Sequence, residues 1–341
     1  MAQILALLHT QSDGTLPKAA LEIVTAAVEL TNQLAGTLKV GIIGTGAAEA
    51  ANTVAGCGAA AFLTVADEAV ATARYATDAA AAAALIQASG AEIVLAPGTS
   101  RFMRCIPGAA ARAGAQADTH IVSLKADGGK VEAQRWFYRQ RILGTFTRQA
   151  SPWVLVVDGG VYAPFEGAGT AAVETVAVTF GAEDLRTTVT GVIRPSADAQ
   201  TIRPEAQLLF VAGAGWTKKQ KDGQTHVAEA GTLIQDFLAG SGASLGTSKS
   251  IVDLQSEGQE ALTFITHMNQ VGQTGSTPRH PKGLSTCCHG EEPHVVGWRF
   301  INERRAVNLD ANCGWAQGKA DVLYVADAFE VMEKVNALLK A

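Results

Sequence analysis

The side chains best suited to chemistry crowd into VGQTGSTPRHPKGLSTCCHG, residues 271–290. This stretch combines a Gly-Gln-Thr-Gly turn, two basic residues (Arg279 and Lys282), two prolines, and the adjacent pair Cys287-Cys288 followed by His289. Three chemistries use such residues: a zinc knuckle, a cysteine nucleophile, and a loop that cradles a phosphate-bearing ligand. Zinc would draw on Cys287, Cys288, His280, His289 and His294, but adjacent cysteines lack the usual C-x₂₋₄-C spacing and no second pair exists. A catalytic thiol beside His289 lacks an identifiable third group to orient the base. Small buried thiols at a strand edge are the plainer reading of the pair.

A second candidate is LLFVAGAGW, residues 208–216, an apolar run closed by a Gly-x-Gly turn. Such a turn lets backbone approach a phosphate at a helix N-terminus, and it is also an ordinary tight turn. Lys218-Lys219-Gln220-Lys221 reads most simply as a solvated loop, with a phosphate contact as the lesser reading. Trp298 and Trp315 read as packing residues.

These segments need a scaffold, and the rest of the chain supplies one. A length of 341 residues exceeds one ordinary core, so two domains are expected. The runs ILALLH (4–9), KVGIIG (39–44), AAFLTVAD (60–67) and EIVLAPG (92–98) are strands that alternate with helices at 16–34 and 78–88. Pro17 suits a first helical turn, and the poly-alanine run near residue 80 is a small-faced helix packed on a sheet. The pattern predicts an α/β fold with a mostly parallel sheet covered on both faces. HIVSLKADGGKVEAQRWFYRQRILGTFTR then predicts antiparallel strands turning at Asp127-Gly128-Gly129. Proline and polar residues at 191–206 mark a linker. A new α/β pattern follows, with a strand at 206–216, a helix at 228–242, further segments at 246–254, 294–301, 306–310 and 321–327, and an amphipathic terminal helix. The expected domains are therefore 1–193 and 194–341.

Composition excludes several classes. Net charge is −5 without a basic stripe, which argues against nucleic acid as a partner. The N-terminus MAQILALLHTQSDG reads as a first strand and not as a signal peptide. No apolar run approaches the roughly 20 residues of a membrane span, so no membrane insertion is expected. Five cysteines, an odd number and mostly scattered, suit a reducing cytoplasm better than a disulfide framework.

Taken in order, the second-domain motifs resemble the flavin-binding domain of the α subunit of electron-transfer flavoproteins. VGQTG at 271–275 is intact, and GTSK at 246–249 stands where the family has Gly-Ala-Ser-Arg. Counting on without gaps, the family histidine falls on His294, and its Ile-Asn-Lys-Asp falls on Val307-Asn308-Leu309-Asp310. One inserted residue later, its Ala-Asp falls on Ala320-Asp321. In the first domain, YRQRILG (138–144) resembles the family's Arg-Pro-Ile-Tyr-Ala-Gly. The resemblance implies an adenine-nucleotide-hydrolase-like parallel sheet followed by a Rossmann-like FAD-binding domain.

It further implies that Ser248, Gln273, Thr274, Gly275, Asn308 and Asp321 bind FAD, Asp321 on the adenosine side. By the same resemblance, Lys249 replaces the family's arginine after the serine, and His294 would hydrogen-bond the isoalloxazine carbonyl. Two departures alter the site. The arginine that packs over the flavin is Ala214 here, and CCHGEEP (287–293) replaces a neutral loop, bringing Cys288, His289, Glu291 and Glu292 toward the ring. Loss of a cation and gain of carboxylates should lower the flavin's reduction potential or make its anionic semiquinone less stable.

The function implied is the α subunit of a heterodimeric electron carrier, not a catalyst of substrate turnover. It would take electrons from flavoprotein dehydrogenases and pass them to a quinone reductase or similar acceptor. A β subunit would hold AMP or a second FAD. The alternatives are a flavin-free or nucleotide-only assembly module of the same fold, and a bifurcating NADH-linked relative.

Overall fold

A computed structural model describes residues 2–138, 142–192, 202–203, 206–256, 260–271, 277, 280–286, 301–312 and 320–340. The chain separates into two compact units, Met1–Val192 and Ile193–Ala341.

The first unit is built on a nine-stranded sheet. Its strands are β1 (Gln3–His9), β2 (Thr37–Ile43), β3 (Ala61–Val65), β4 (Ile93–Pro97), β5 (Gln116–Asp127), β6 (Lys130–Phe137), β7 (Ile142–Phe146), β8 (Trp153–Val157) and β9 (Val173–Thr175). They lie in the order β7-β6-β5-β8-β4-β1-β2-β3-β9. All neighbours are parallel except β5-β6 and β6-β7, which form the expected antiparallel extension. Its turn uses Gly128 and Gly129 at φ 54° and 78°, a region that favours glycine.

The helices are α1 (Lys18–Leu34), α2 (Ala47–Asn52), α3 (Tyr75–Ser89), α4 (Ser100–Arg112) and the single turn α5 (Ala182–Leu185). One apolar cluster gathers α1 against Ile4, Ala6, Leu8, Val40 and Leu155. A second gathers α3 and α4 against Leu5, Leu7, Val94 and Val156. Alternate residues of β1 thus feed opposite cores, which is why the strand reads as a continuous apolar run. The alanines of α3 serve close packing, since Ala79, Ala81 and Ala82 are fully buried. Pro17 sits at the N-cap, one residue before the helix.

Helix α4 is not anticipated by the sequence pattern, because Pro107-Gly108 looks like a turn. Phe102, Cys105, Ile106 and Ala109 are all fully buried, and that burial carries the helix through the proline. Gly108 is required by crowding: a Cβ there would stand 2.3 Å from the Tyr75 hydroxyl of α3.

Among its described residues the second unit holds five parallel strands: β10 (Leu208–Ala212), β11 (Ser244–Thr247), β12 (His280–Thr286), β13 (Ile301–Asn308) and β14 (Val322–Val325). Their order is β11-β10-β12-β13-β14. Helices α6 (Val227–Ser241), α7 (Lys249–Ser256) and α8 (Ala328–Leu339) accompany them. The α6–α8 contact is close: Asn336 donates to the Leu233 carbonyl at 2.9 Å, and Phe237, Ile234 and Met332 share a core with Phe210.

The opening stretch is corrected in one respect, since residues 280–286 form a strand between β10 and β13. Pro281 is tolerated there because pairing with β10 begins only at Lys282. Gly283 is flat against β13, where a Cβ would meet the Ile301 side chain at 2.6 Å.

Candidate functional site

In the second unit every described strand points the same way, so Ala212, Thr247, Thr286, Asn308 and Val325 end on one edge. β11 lies on one side of β10, and β12 to β14 lie on the other. The strand order therefore reverses between β10 and β12, and open α/β sheets bind ligands outside the carboxyl ends at such a point.

The backbone at this point is tightly joined. Ser248 N–H donates to the Ala212 carbonyl at 2.9 Å, and Gly213 N–H donates to the Thr286 carbonyl at 3.1 Å. Thr247 lies against Gln270 in a parallel bridge, and Val271 N–H donates to the Thr247 carbonyl at 3.0 Å. The residue that opens VGQTG therefore stands at the carboxyl end of β11.

Three buried polar atoms on this edge have no hydrogen-bond partner among the described residues: Thr247 Oγ1, Ser248 Oγ and Asn308 Nδ2. Asn308 uses its other amide atom locally, accepting from Asp310 N–H at 3.0 Å. Burying a hydroxyl or amide without a partner costs free energy. A ligand carrying complementary hydroxyl, phosphate or carbonyl groups would satisfy all three, so the donor set fits a dinucleotide such as FAD.

The other sequence-derived residues fall elsewhere. Asp321 precedes β14 and so lies at the amino edge, where its carboxylate pairs with Arg304 at 2.9 Å. The hydrogen bonds from Arg304 hold that carboxyl below its ordinary range. At about 3.3 Å per residue, β14 separates it from the carboxyl edge by roughly 13 Å. Besides Asp310, an acidic residue on the same edge as Ser248 and Asn308 is Asp327. It caps α8 by accepting from Phe329 N–H at 2.9 Å, and its neighbour Ala326 donates to the Asn308 carbonyl at 3.1 Å. Sequence reasoning missed Asp327, although the signal is present: Ala-Asp occurs at 320–321 and again at 326–327, and only the second follows the apolar run VLYV.

Lys249 opens α7, is half-exposed, and pairs with Asp253 at 3.8 Å. Ala214 is buried in a 3₁₀ turn, Ala214–Thr217, that follows β10. Gln273, Thr274, Gly275, Cys288, His289 and His294 lie outside the described residues, as do Arg139 to Arg141 of YRQRILG. In the first unit, a half-open cleft of about 550 Å³ is lined by Leu16, Leu21, Phe165, Asp13 and Glu49. Its two carboxylates disfavour an anionic ligand.

The family model for the electron transfer flavoprotein domain matches residues 4–180. The chain belongs to the electron transfer flavoprotein family. The match covers the first unit, whereas the orphaned polar atoms lie in the second. No curated protein matches the chain. Electron transfer flavoproteins bind flavin and work with partner subunits and dehydrogenases. Among the described residues of this family member, no helix is long and apolar enough to cross a membrane.

Proposed function

We propose that this chain is an α-type subunit of an electron-transfer flavoprotein, with FAD held at the carboxyl edge of the second unit. The observation that carries the reading is the set of buried, unpartnered atoms Thr247 Oγ1, Ser248 Oγ and Asn308 Nδ2 at a strand-order reversal. Bound FAD would supply reversible acceptance and release of electrons, a chemistry the side chains themselves lack. The chain's own contribution is positional. Ser248 and Thr247 offer hydroxyls, Asn308 offers an amide N–H, and Asp327 offers a carboxylate suited to a ribose hydroxyl.

The first unit would dock a β subunit holding AMP or a second FAD. Support comes from the apolar group at the sheet's edge, where Tyr138, Ile142 and Leu143 are 76%, 53% and 43% exposed. Flavoprotein dehydrogenases would donate electrons, and a quinone reductase or similar acceptor would receive them. A flavin-free assembly module is the second reading, favoured by the buried alanine at position 214.

The test is a visible absorption spectrum of the full chain co-expressed with its partner, with extracted flavin quantified. Flavin bands at about one FAD per complex are expected. A complex that stays colourless after FAD is added would overturn the carrier reading and leave the assembly module.

A further inference from the structure

Lys218–His226, between the 3₁₀ turn and α6, forms a small strap built by its own hydrogen bonds. Lys219 and Thr225 pair in an antiparallel bridge, Gln220 N–H donates to the Gln224 carbonyl at 2.8 Å, and Gly223 turns the chain at φ 79°. The Gln220 amide folds back to donate to the Gly215 and Lys218 carbonyls at 3.1 and 2.7 Å, which ties the strap to the 3₁₀ turn. Its base is pinned by His226, 2.7 Å from the Asp222 carboxylate and 3.2 Å from that of Glu229.

The strap carries three lysines, Lys218, Lys219 and Lys221, and Lys221 reaches the carboxyl edge. Lys221 Nζ lies 3.5 Å from Asp327 Oδ2, and Asp327 directly follows the residue that bonds the Asn308 backbone. Lys221 therefore stands on the same edge as the unpartnered hydroxyls and amide, whereas position 214 has only a buried methyl group.

We propose that this strap is the phosphate arm of the site, with Lys221 supplying the cation that faces the diphosphate of FAD. The inference rests on the FAD reading above and adds to it a named electrostatic contact. The lysine of this pair is exposed and its 3.5 Å separation is longer than a good hydrogen bond, so the Asp327 contact does not prevent a diphosphate from sharing or displacing it. A lysine acts here as a point charge without the fixed fork of an arginine, so its contribution is salt-sensitive.

The experiment is a titration of the flavin-stripped full chain with FAD and, separately, with riboflavin, at low and raised salt. Lys221→Gln is compared with wild type and with Lys130→Gln, a change of another exposed lysine in the first unit. The expected result is about tenfold weaker FAD binding by K221Q, a flatter salt dependence, and unchanged riboflavin binding. K130Q should match wild type, and thermal melts of the three proteins should coincide. FAD affinity and salt dependence identical in K221Q and wild type would overturn the strap's role while leaving the FAD reading standing. Equal weakening of FAD and riboflavin would overturn the assignment to the diphosphate. A wild-type chain that binds no FAD would overturn both.

Discussion

The Trp216 indole N–H donates to the Thr286 hydroxyl at 2.7 Å, and both side chains are fully excluded from solvent. This bond links the turn after β10 to the end of β12, the two strands that flank the reversal in strand order. The indole also packs on Phe329 of α8, with ring centroids 4.7 Å apart. The floor of the candidate site is therefore clamped by one buried polar contact inside an apolar cluster. Thr286→Val keeps the shape and leaves the indole N–H without its acceptor. The expected loss is about 1–3 kcal/mol of unfolding free energy. Urea unfolding followed by tryptophan fluorescence checks it, with an unchanged slope indicating an intact transition.

Thr247 and Ser248 should respond in the opposite way. Their hydroxyls are buried and unpartnered among the described residues, so protein contacts gain nothing from them. Thr247→Val and Ser248→Ala should leave the flavin-free protein as stable as wild type, or more stable by up to about 1 kcal/mol. FAD affinity should fall about 2- to 10-fold for each, the loss of one net hydrogen bond. Thermal melts and flavin titration of the same samples read the two effects separately. A loss of stability with unchanged affinity would mean that the hydroxyls serve the fold.

Arg101 and Asp78 form the buried ion pair that joins α4 to α3. The guanidinium donates to both carboxylate oxygens, at 3.0 and 2.6 Å, and to the Val70 carbonyl at 2.7 Å. Asp78 is fully buried, so Arg101→Met strands an uncompensated carboxylate. A destabilisation of about 3–5 kcal/mol is expected by chemical denaturation. Adding Asp78→Asn should restore a substantial part of it, because the stranded charge and not the missing contact dominates the cost.

His9 makes the first unit acid-sensitive. Its Nδ1–H donates to the Thr10 carbonyl at 3.0 Å, and its Nε2 accepts from the Thr99 hydroxyl, the N-cap of α4, at 2.7 Å. Burial, reinforced by the nearby Arg101 cation, lowers its pKa from 6.5 to about 4. The unfolded chain takes up this proton below pH 6.5, whereas the folded chain resists until about pH 4. The contribution is therefore fully present above pH 6.5 and is lost as pH falls toward 4, by an amount on the order of 3 kcal/mol. Urea titrations across that window should show the slope in wild type and a flatter one in His9→Gln.

Much of the framework was legible because its signals are local. The runs ILALLH, KVGIIG and LLFVAG are strands because apolar residues continue until a glycine or polar residue ends them. The helix at 227–241 ends at Gly242, in the left-handed region at φ 65°. The antiparallel extension turned at its Gly-Gly pair as its residues require. Ser248 and Asn308 came from the resemblance to the flavoprotein α subunit, and the fold places both at the carboxyl ends of strands.

β12, α4 and the position of Asp327 on the carboxyl edge were not legible, and in each case the deciding partner is distant in sequence. HPKGLST carries a proline and a glycine that argue against a strand, and it becomes one because β10 and β13 flank it on both sides. SRFMRCIPGAAAR becomes a helix through the proline because α3 and the sheet bury one of its faces.

The sequence by itself determined which residue types were available and which segments could be strands or helices, because periodicity and turn chemistry act over a few residues. Only the tertiary structure decided which of two Ala-Asp pairs stands on the carboxyl edge. Parallel alignment sends every carboxyl end to one edge, so Asp327 joins Ser248 and Asn308 while Asp321 is left at the other edge with Arg304. That choice depends on strand direction and neighbour order, which no local stretch of chain encodes.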